Sequence, residues 1–117
     1  MVKKLNKKDV KPKKDPCGLI RELYSSRNIS IAHDVVLDTA QKHMHRQMEE
    51  VYYVEKGRGQ LVIGDTTLDI KEGDLISIPK NIWHYLKKIE GKPLEVLVVT
   101  HPQYIPEDLI LKKIKRK

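Results

Sequence analysis

Short β-type runs separated by turn residues recur through most of this 117-residue chain, and they constrain its fold more than any other feature. No segment before Pro106 keeps the apolar periodicity of an amphipathic helix. The runs are about nine in number: GLIREL, ISIAHDVV, HMH, VYYVE, QLVI, TLDI, DLISI, WHYLK and LEVLVV. Short strands at this spacing predict an all-β sandwich or barrel, and the absence of Phe predicts an aliphatic core.

Glycines mark the turns between these runs. Gly64-Asp65 lies between QLVI and TTLDI and predicts a tight hairpin. Gly57-Arg58-Gly59, Glu72-Gly73-Asp74 and Glu90-Gly91 predict further turns. The segment that begins at Pro106 fits two structures equally, the first turn of a helix or an extended tail.

The net charge of +7 is concentrated at the two ends of the chain. Residues 1–16 carry seven Lys against two Asp, and residues 107–117 carry five Lys or Arg against two acidic residues. We therefore expect a disordered basic arm over 1–16, a folded domain over 17–106 and a basic tail over 107–117. Such ends can attach to nucleic acid, but they lack interleaved aromatic residues for base stacking, so solvated ends are the favoured interpretation.

The cellular compartment is predicted from three sequence features that are absent: a membrane-spanning run, a signal region and a second cysteine. No apolar run approaches the length of about 20 residues that a membrane-spanning helix needs, and the amino terminus has no apolar signal region. The single cysteine, Cys17, cannot form an internal disulfide, which indicates a reducing cytoplasm. A structural role for Cys17 at the start of a strand is favoured over a role as a catalytic thiol.

Histidines two residues apart raise the question of a metal. On a strand, His43 and His45 project from one face, which presets their imidazoles to chelate an ion. After a short bend, Glu50 shares a face with Tyr52, and Glu49 faces the other way. If the face of Tyr52 is the inner one, Glu50 joins the histidines, although a bulge at the bend would reverse this parity.

A third histidine, His84, begins a later run and shares its face with Leu86 and Lys88. Three imidazoles and one carboxylate form an N/O ligand set that suits Fe(II), Mn(II), Ni(II), Cu(II) or Zn(II). For His33 and His101, which have no such companions, a surface position or a hydrogen-bonded core position is the favoured interpretation.

These spacings resemble the two motifs of the cupin family. In the first motif, His43-Met44-His45 is followed by four residues, then Glu50, then six residues and Gly57. Counting from Glu49 would place Lys56 where the family has glycine, so the resemblance selects Glu50 as the ligand.

The second motif matches with two departures. Gly73, Pro79 and His84 stand at the family's spacing. Asn81 replaces a glycine, a mild change because Asn tolerates left-handed turns. Lys88 replaces the final Asn of the motif. The first glycine of the first motif is also absent.

The resemblance implies a cupin jelly-roll β-barrel, also called a double-stranded β-helix, that holds one divalent transition metal. The implied ligands are His43, His45, Glu50 and His84, with Gln41, Tyr52 and Lys88 near them in the second shell or pocket. Cupins of this size commonly form homodimers. Four protein ligands leave one or two coordination positions open for water, oxygen or a small-molecule substrate.

The resemblance leaves several reaction classes open. A sugar or sugar-phosphate isomerase or epimerase is slightly favoured, with Lys88 and Arg46 as candidates to bind a phosphate. A metal-dependent dioxygenase suits the ligand set equally well. A non-enzymatic metal-dependent binding or sensor protein and a barrel with a purely structural metal are further alternatives. No residue of the sequence is singled out as catalytic.

Overall fold

The computed structural model describes residues 2–89, 91 and 93–112, which form an all-β molecule. Eleven strands lie in this part of the chain, and each of the nine predicted runs overlaps one of them, which confirms the all-β prediction. The strands are β1 (Lys13–Asp15), β2 (Gly18–Ser25), β3 (Ser30–Val36), β4 (His43–Met44), β5 (Glu49–Lys56), β6 (Arg58–Ile63), β7 (Thr66–Lys71), β8 (Leu75–Ile78), β9 (His84–Lys88), β10 (Leu94–His101) and β11 (Ile110–Leu111).

Two antiparallel sheets make up the jelly roll. One sheet has the strand order β1-β2-β3-β10-β5-β8, and the other has the order β11-β4-β9-β6-β7. Their facing sides share one apolar core, to which β5 contributes Tyr52 and Val54, β6 contributes Leu61, and β9 contributes Leu86. All four side chains are at most 3% exposed, so the core lies between the sheets.

The predicted hairpin at Gly64-Asp65 is confirmed. Strands β6 and β7 pair on either side of it, with Leu61 opposite Leu68 and Ile63 opposite Thr66. Gly64 adopts a φ of 56°, which glycine accepts without the steric cost that a Cβ atom brings.

The chain outside the predicted domain boundaries contributes structure as well. Two short 3-10 helices cover Lys7–Asp9 and Pro106–Asp108, so the latter segment is neither a longer helix nor a plain extended tail. Strand β1 pairs with β2, and β11 pairs with β4. Neither helix within the described residues is long and apolar enough to cross a membrane. Glu90 of the predicted Glu90-Gly91 turn and residues 113–117 of the predicted tail lie outside the described residues.

Candidate metal centre

The four predicted metal ligands meet between the two sheets. His43 and His84 are direct cross-strand partners of β4 and β9, and His45 follows at the end of β4. Glu50 approaches from β5 of the opposite sheet. One ligand atom from each of the four side chains lies within 4.8 Å of the others, and all four side chains are buried. The cluster can therefore hold a metal ion.

The alternation on β5 follows the predicted parity. Glu50, Tyr52 and Val54 are buried, whereas Glu49 and Tyr53 are exposed. The bend between β4 and β5 therefore leaves Glu50 facing inward, as the alternation of the sequence predicted.

Backbone carbonyls orient the three imidazoles. Each Nδ1 donates a hydrogen bond to a carbonyl oxygen: His43 to Gln41 at 2.8 Å, His84 to Ile82 at 2.9 Å and His45 to Asp108 at 2.9 Å. In a neutral ring this arrangement leaves the lone pair on Nε2, and fixing the tautomer in this way is typical of histidines that bind metals.

The Nε2 atoms and the carboxylate converge on one point. Oε1 of Glu50 lies 2.9 Å from Nε2 of His84 and 3.2 Å from Nε2 of His45. Between neutral imidazoles and a carboxylate, these contacts would place acceptor against acceptor, and a shared cation removes that conflict. A set of three imidazole nitrogens and one carboxylate oxygen thus fits a divalent transition metal.

The ionisation of two ligands favours metal binding. Burial lowers the pKa of His43 to about 4, with the neighbouring His84 adding to the effect. Burial by itself would raise the pKa of Glu50, but the close contacts of its carboxylate with the imidazoles of His45 and His84 outweigh burial and lower this pKa to about 2. At neutral pH, His43 is neutral and Glu50 is ionised, and these are the forms that ligate a metal.

Asp108 supports the site, and sequence reasoning did not single it out. Its carboxylate accepts hydrogen bonds from the backbone N–H groups of Arg46, Gln47 and Met48, at 2.9 to 3.1 Å. Its carbonyl also holds His45. Asp108 is 3% exposed, and it stabilises the bend that sets His45 and Glu50 in register. In the sequence it lies in a charged terminal segment, and nothing there indicates its partners.

A cavity of about 420 Å³ opens beside the candidate metal ligands. Residues from several strands line it, among them His43, His45, Glu50, Tyr52, Asp34 and Thr100. This volume is within the range of small-molecule sites. Lys11, Lys13 and Lys14 also border the cavity and place positive charge at its wall.

The other candidate residues take different positions. Tyr52 lines the cavity, and its ring centroid lies 6.2 Å from that of His84. Gln41 is exposed and reaches the site through its backbone carbonyl. Lys88 is half-buried opposite Gly59 and is not among the cavity-lining residues, and exposed Arg46 is also absent from them.

The remaining histidines lie away from the cluster. His33 is 1% exposed, and its Nε2 lies 2.9 Å from Oε1 of Glu95. His101 is exposed, and its Nδ1 donates to the carbonyl of Asn28. Neither side chain belongs to the metal-ligand cluster, in accord with the interpretation of each as a surface or hydrogen-bonded residue.

The jelly roll, the spacing of the two motifs and the cluster of three histidines with one glutamate define a class of protein. A cupin-domain family profile matches residues 36–100, which is more than half of the chain. This protein belongs to the cupin family.

Individual proteins are similar to this chain in sequence or in structure. An uncharacterised protein of Methanocaldococcus jannaschii is 36% identical over 66 residues, which are 56% of this chain and 53% of that protein. This chain thus matches about half the length of that relative. A protein from Planctomyces limnophilus has a similar structure, with a TM-score of 0.84, 17% identity and coverage of 94% of this chain and 96% of the other.

A second similar structure is that of Pac13 from Streptomyces, a nucleoside dehydratase. Its TM-score is 0.82 at 16% identity, and the match covers 97% of this chain and 92% of Pac13. At this level of identity the two solved structures show the shared fold alone.

Proposed function

We propose that this protein is a metal-dependent enzyme that transfers a proton on a small hydroxylated carbonyl compound, as a sugar or sugar-phosphate isomerase or epimerase does. The observation that carries the proposal is the opening of the three-histidine, one-glutamate cluster onto a cavity of about 420 Å³. A bound divalent ion would polarise a carbonyl or hydroxyl oxygen of the substrate.

The cavity wall supplies groups suited to proton transfer. Burial raises the pKa of Tyr52 and of Tyr104, so both phenols stay protonated at neutral pH and can donate to a substrate oxygen. The ring centroid of Tyr104 lies 6.3 Å from that of His45, which places this side chain beside the ligand cluster.

Lysines at the cavity favour an anionic substrate. Lys11, Lys13 and Lys14 border it, whereas the sequence had suggested Lys88 and Arg46 for this role. A phosphate or carboxylate group on the substrate would pair with these ammonium groups rather than approach Asp34 and Glu50, whose carboxylates line the same cavity. Lys11, Lys13 and Lys14 therefore take the place of Lys88 and Arg46 as the candidates to bind a substrate phosphate.

Deuterium exchange tests the proposed reaction. The purified protein, loaded in turn with Zn²⁺, Mn²⁺ or Fe²⁺, is incubated in D₂O with a panel of aldose, ketose and uronate phosphates and followed by proton NMR. We expect loss of the signal of the proton next to the carbonyl of one compound, and no loss with Glu50→Gln. Oxygen consumption by the iron-loaded protein without any exchange would instead support the dioxygenase alternative.

We also propose a cytoplasmic homodimer, as the sequence suggested. Sedimentation velocity at several protein concentrations tests the oligomeric state, and a single species of monomer mass throughout would contradict the proposal. A nucleic-acid partner stays the less favoured alternative, because the metal-ligand cluster and the cavity suit a small molecule.

A further inference from the structure

A second group of metal-ligating side chains lies outside the histidine cluster. Asp15, at the end of β1, Cys17, in the turn that follows, and Asp34, on β3, each offer a ligand atom, and the three atoms lie within 4.8 Å of one another. We call these three residues the Asp-Cys-Asp cluster.

The backbone holds this cluster in place. Oδ1 of Asp15 accepts hydrogen bonds from the backbone N–H groups of Cys17, at 2.8 Å, and Gly18, at 2.9 Å. Gly18 packs so closely on β3 that a Cβ atom there would lie 2.1 Å from the carbonyl oxygen of Val35. This close approach keeps the turn that carries Cys17 against the strand that carries Asp34.

Among the described residues, the carboxylates of the cluster make no direct ion pair with a basic side chain. Asp34 is 2% exposed, and its Oδ1 is buried without a hydrogen-bond partner. Burial of an unpaired carboxylate is strongly unfavourable, so such a group is normally paired, protonated or bound to a metal.

All three side chains line the same cavity as the histidine cluster, so an ion can reach them. We propose that Asp15, Cys17 and Asp34 form a second cation site, which binds a borderline transition-metal ion such as Zn²⁺ through one thiolate and two carboxylates. The thiolate selects against Mg²⁺ and Ca²⁺, which take oxygen ligands. Three protein donors leave a coordination position open towards the cavity, as in many catalytic zinc sites.

The proposed site does not depend on the reaction proposed above, and Co²⁺ tests it directly. The reduced, metal-free protein is titrated with Co²⁺ under nitrogen, with bound cobalt measured after equilibrium dialysis and the near-ultraviolet spectrum recorded. Thiolate ligation gives a sulfur-to-cobalt charge-transfer absorption, which a histidine and glutamate site cannot produce. We expect this band in the wild type, with about one more cobalt ion per chain than in Cys17→Ser.

Variants separate the two sites. Cys17→Ser and Asp34→Asn should lose the band and the extra ion, whereas Glu50→Gln should keep the band and lose the other ion. Asp38→Asn, a change at an exposed aspartate, should match the wild type. Circular dichroism melts show which variants fold, and Cys17→Ser retains the test if Asp34→Asn does not fold.

Absence of the charge-transfer band from the wild type at saturating Co²⁺ would overturn the proposal, as would a full complement of cobalt in Cys17→Ser. A thiolate band in a protein whose histidine cluster binds no metal would support the second site while contradicting the proposed function.

Discussion

At the scale of single residues, the candidate site depends on which of two adjacent glutamates turns inward. Glu50 is 5% exposed and contacts two imidazoles, whereas Glu49 faces solvent. The two side chains have the same chemistry and differ only in the face of β5 they occupy. They therefore provide a matched pair for testing the metal-ligand cluster.

Glu50→Gln should weaken zinc binding by about 100-fold or more, because loss of a ligand should exceed the 10- to 100-fold cost of losing an outer-shell partner. Glu49→Gln should leave the affinity within about threefold of the wild type, since an exposed side chain makes no contact with the site. Competition with a chromophoric chelator measures both affinities. Equal losses in the two variants would mean that Glu50 is not a ligand.

Asp34 should make the stability of the metal-free protein depend on pH. Burial, together with the nearby Asp15 and Glu50, raises its pKa from 3.8 to about 8 in the folded state. Between these values the folded chain keeps a proton that the unfolded chain releases, so the free energy of unfolding falls as the pH rises from about 4 to about 8.

Urea unfolding of the wild type and of Asp34→Asn, with a chelator present, measures this dependence. We expect a flatter pH profile for Asp34→Asn over the same range, since its amide does not titrate. A profile with the same slope in both proteins would show that Asp34 ionises normally in the folded state.

At the scale of elements, the bend between β4 and β5 owes its conformation to a distant residue. Asp108 lies about sixty positions further along the chain and accepts hydrogen bonds from three consecutive backbone N–H groups of this bend. Strand β11 follows Asp108 in the chain and pairs with β4. The carboxy-terminal segment thus stabilises the turn between two of the candidate metal ligands.

Asp108→Ala should lower the free energy of unfolding by about 2–4 kcal/mol, since it removes several charge-assisted hydrogen bonds at once. It should also weaken zinc binding, because His45 and Glu50 flank the released turn. Glu107→Ala, at the exposed neighbouring position, serves as the control for both measurements. Unchanged zinc affinity in Asp108→Ala would show that the bend keeps its conformation without this carboxylate.

The glycines at two turns should differ in what they tolerate. Gly57 has a φ of 87°, and a Cβ atom there would lie 2.4 Å from the carbonyl oxygen of Pro93. Gly73 has a similar φ of 92°, but no atom lies within 4 Å of its Cβ position. A side chain at either position would force the backbone into a strained conformation. Only at Gly57 would its Cβ atom also collide with a backbone atom.

Gly57→Ala should therefore destabilise the protein by about 3 kcal/mol or more, and Gly73→Ala by about 1–2 kcal/mol. Urea titration of the two variants gives both values. An equal decrease in the free energy of unfolding of the two variants would indicate that the β5–β6 turn moves away from Pro93 at little cost.

At the scale of the whole molecule, metal binding should couple to stability. An ion that binds only the folded state adds about 2.7 kcal/mol when its free concentration is 100 times the Kd. For a domain of this size, chelation should then lower the Tm by roughly 10 °C. Scanning calorimetry with and without a chelator tests this, and Glu50→Gln should respond less than the wild type.

Much of the fold could be predicted from the sequence, because strand patterns are local. The recurring apolar runs predicted the all-β fold class, and the Gly64-Asp65 pair predicted the hairpin of β6 and β7. The left-handed φ of 65° at Asn81 agrees with a position where the family has glycine. The boundaries at residues 17 and 106 stay predictions, and β1 and β11 lie beyond them. Short terminal strands carry little pattern of their own.

The side chains of the candidate metal cluster were determined by the sequence, since two-residue periodicity and the cupin spacing both depend only on position along the chain. The partners of that cluster were decided by tertiary structure. Asp108 and Asp34 come to the site from remote segments, and Lys13 reaches the cavity where Lys88 does not. Burial and long-range proximity arise only when the two sheets close, and a local pattern does not contain them.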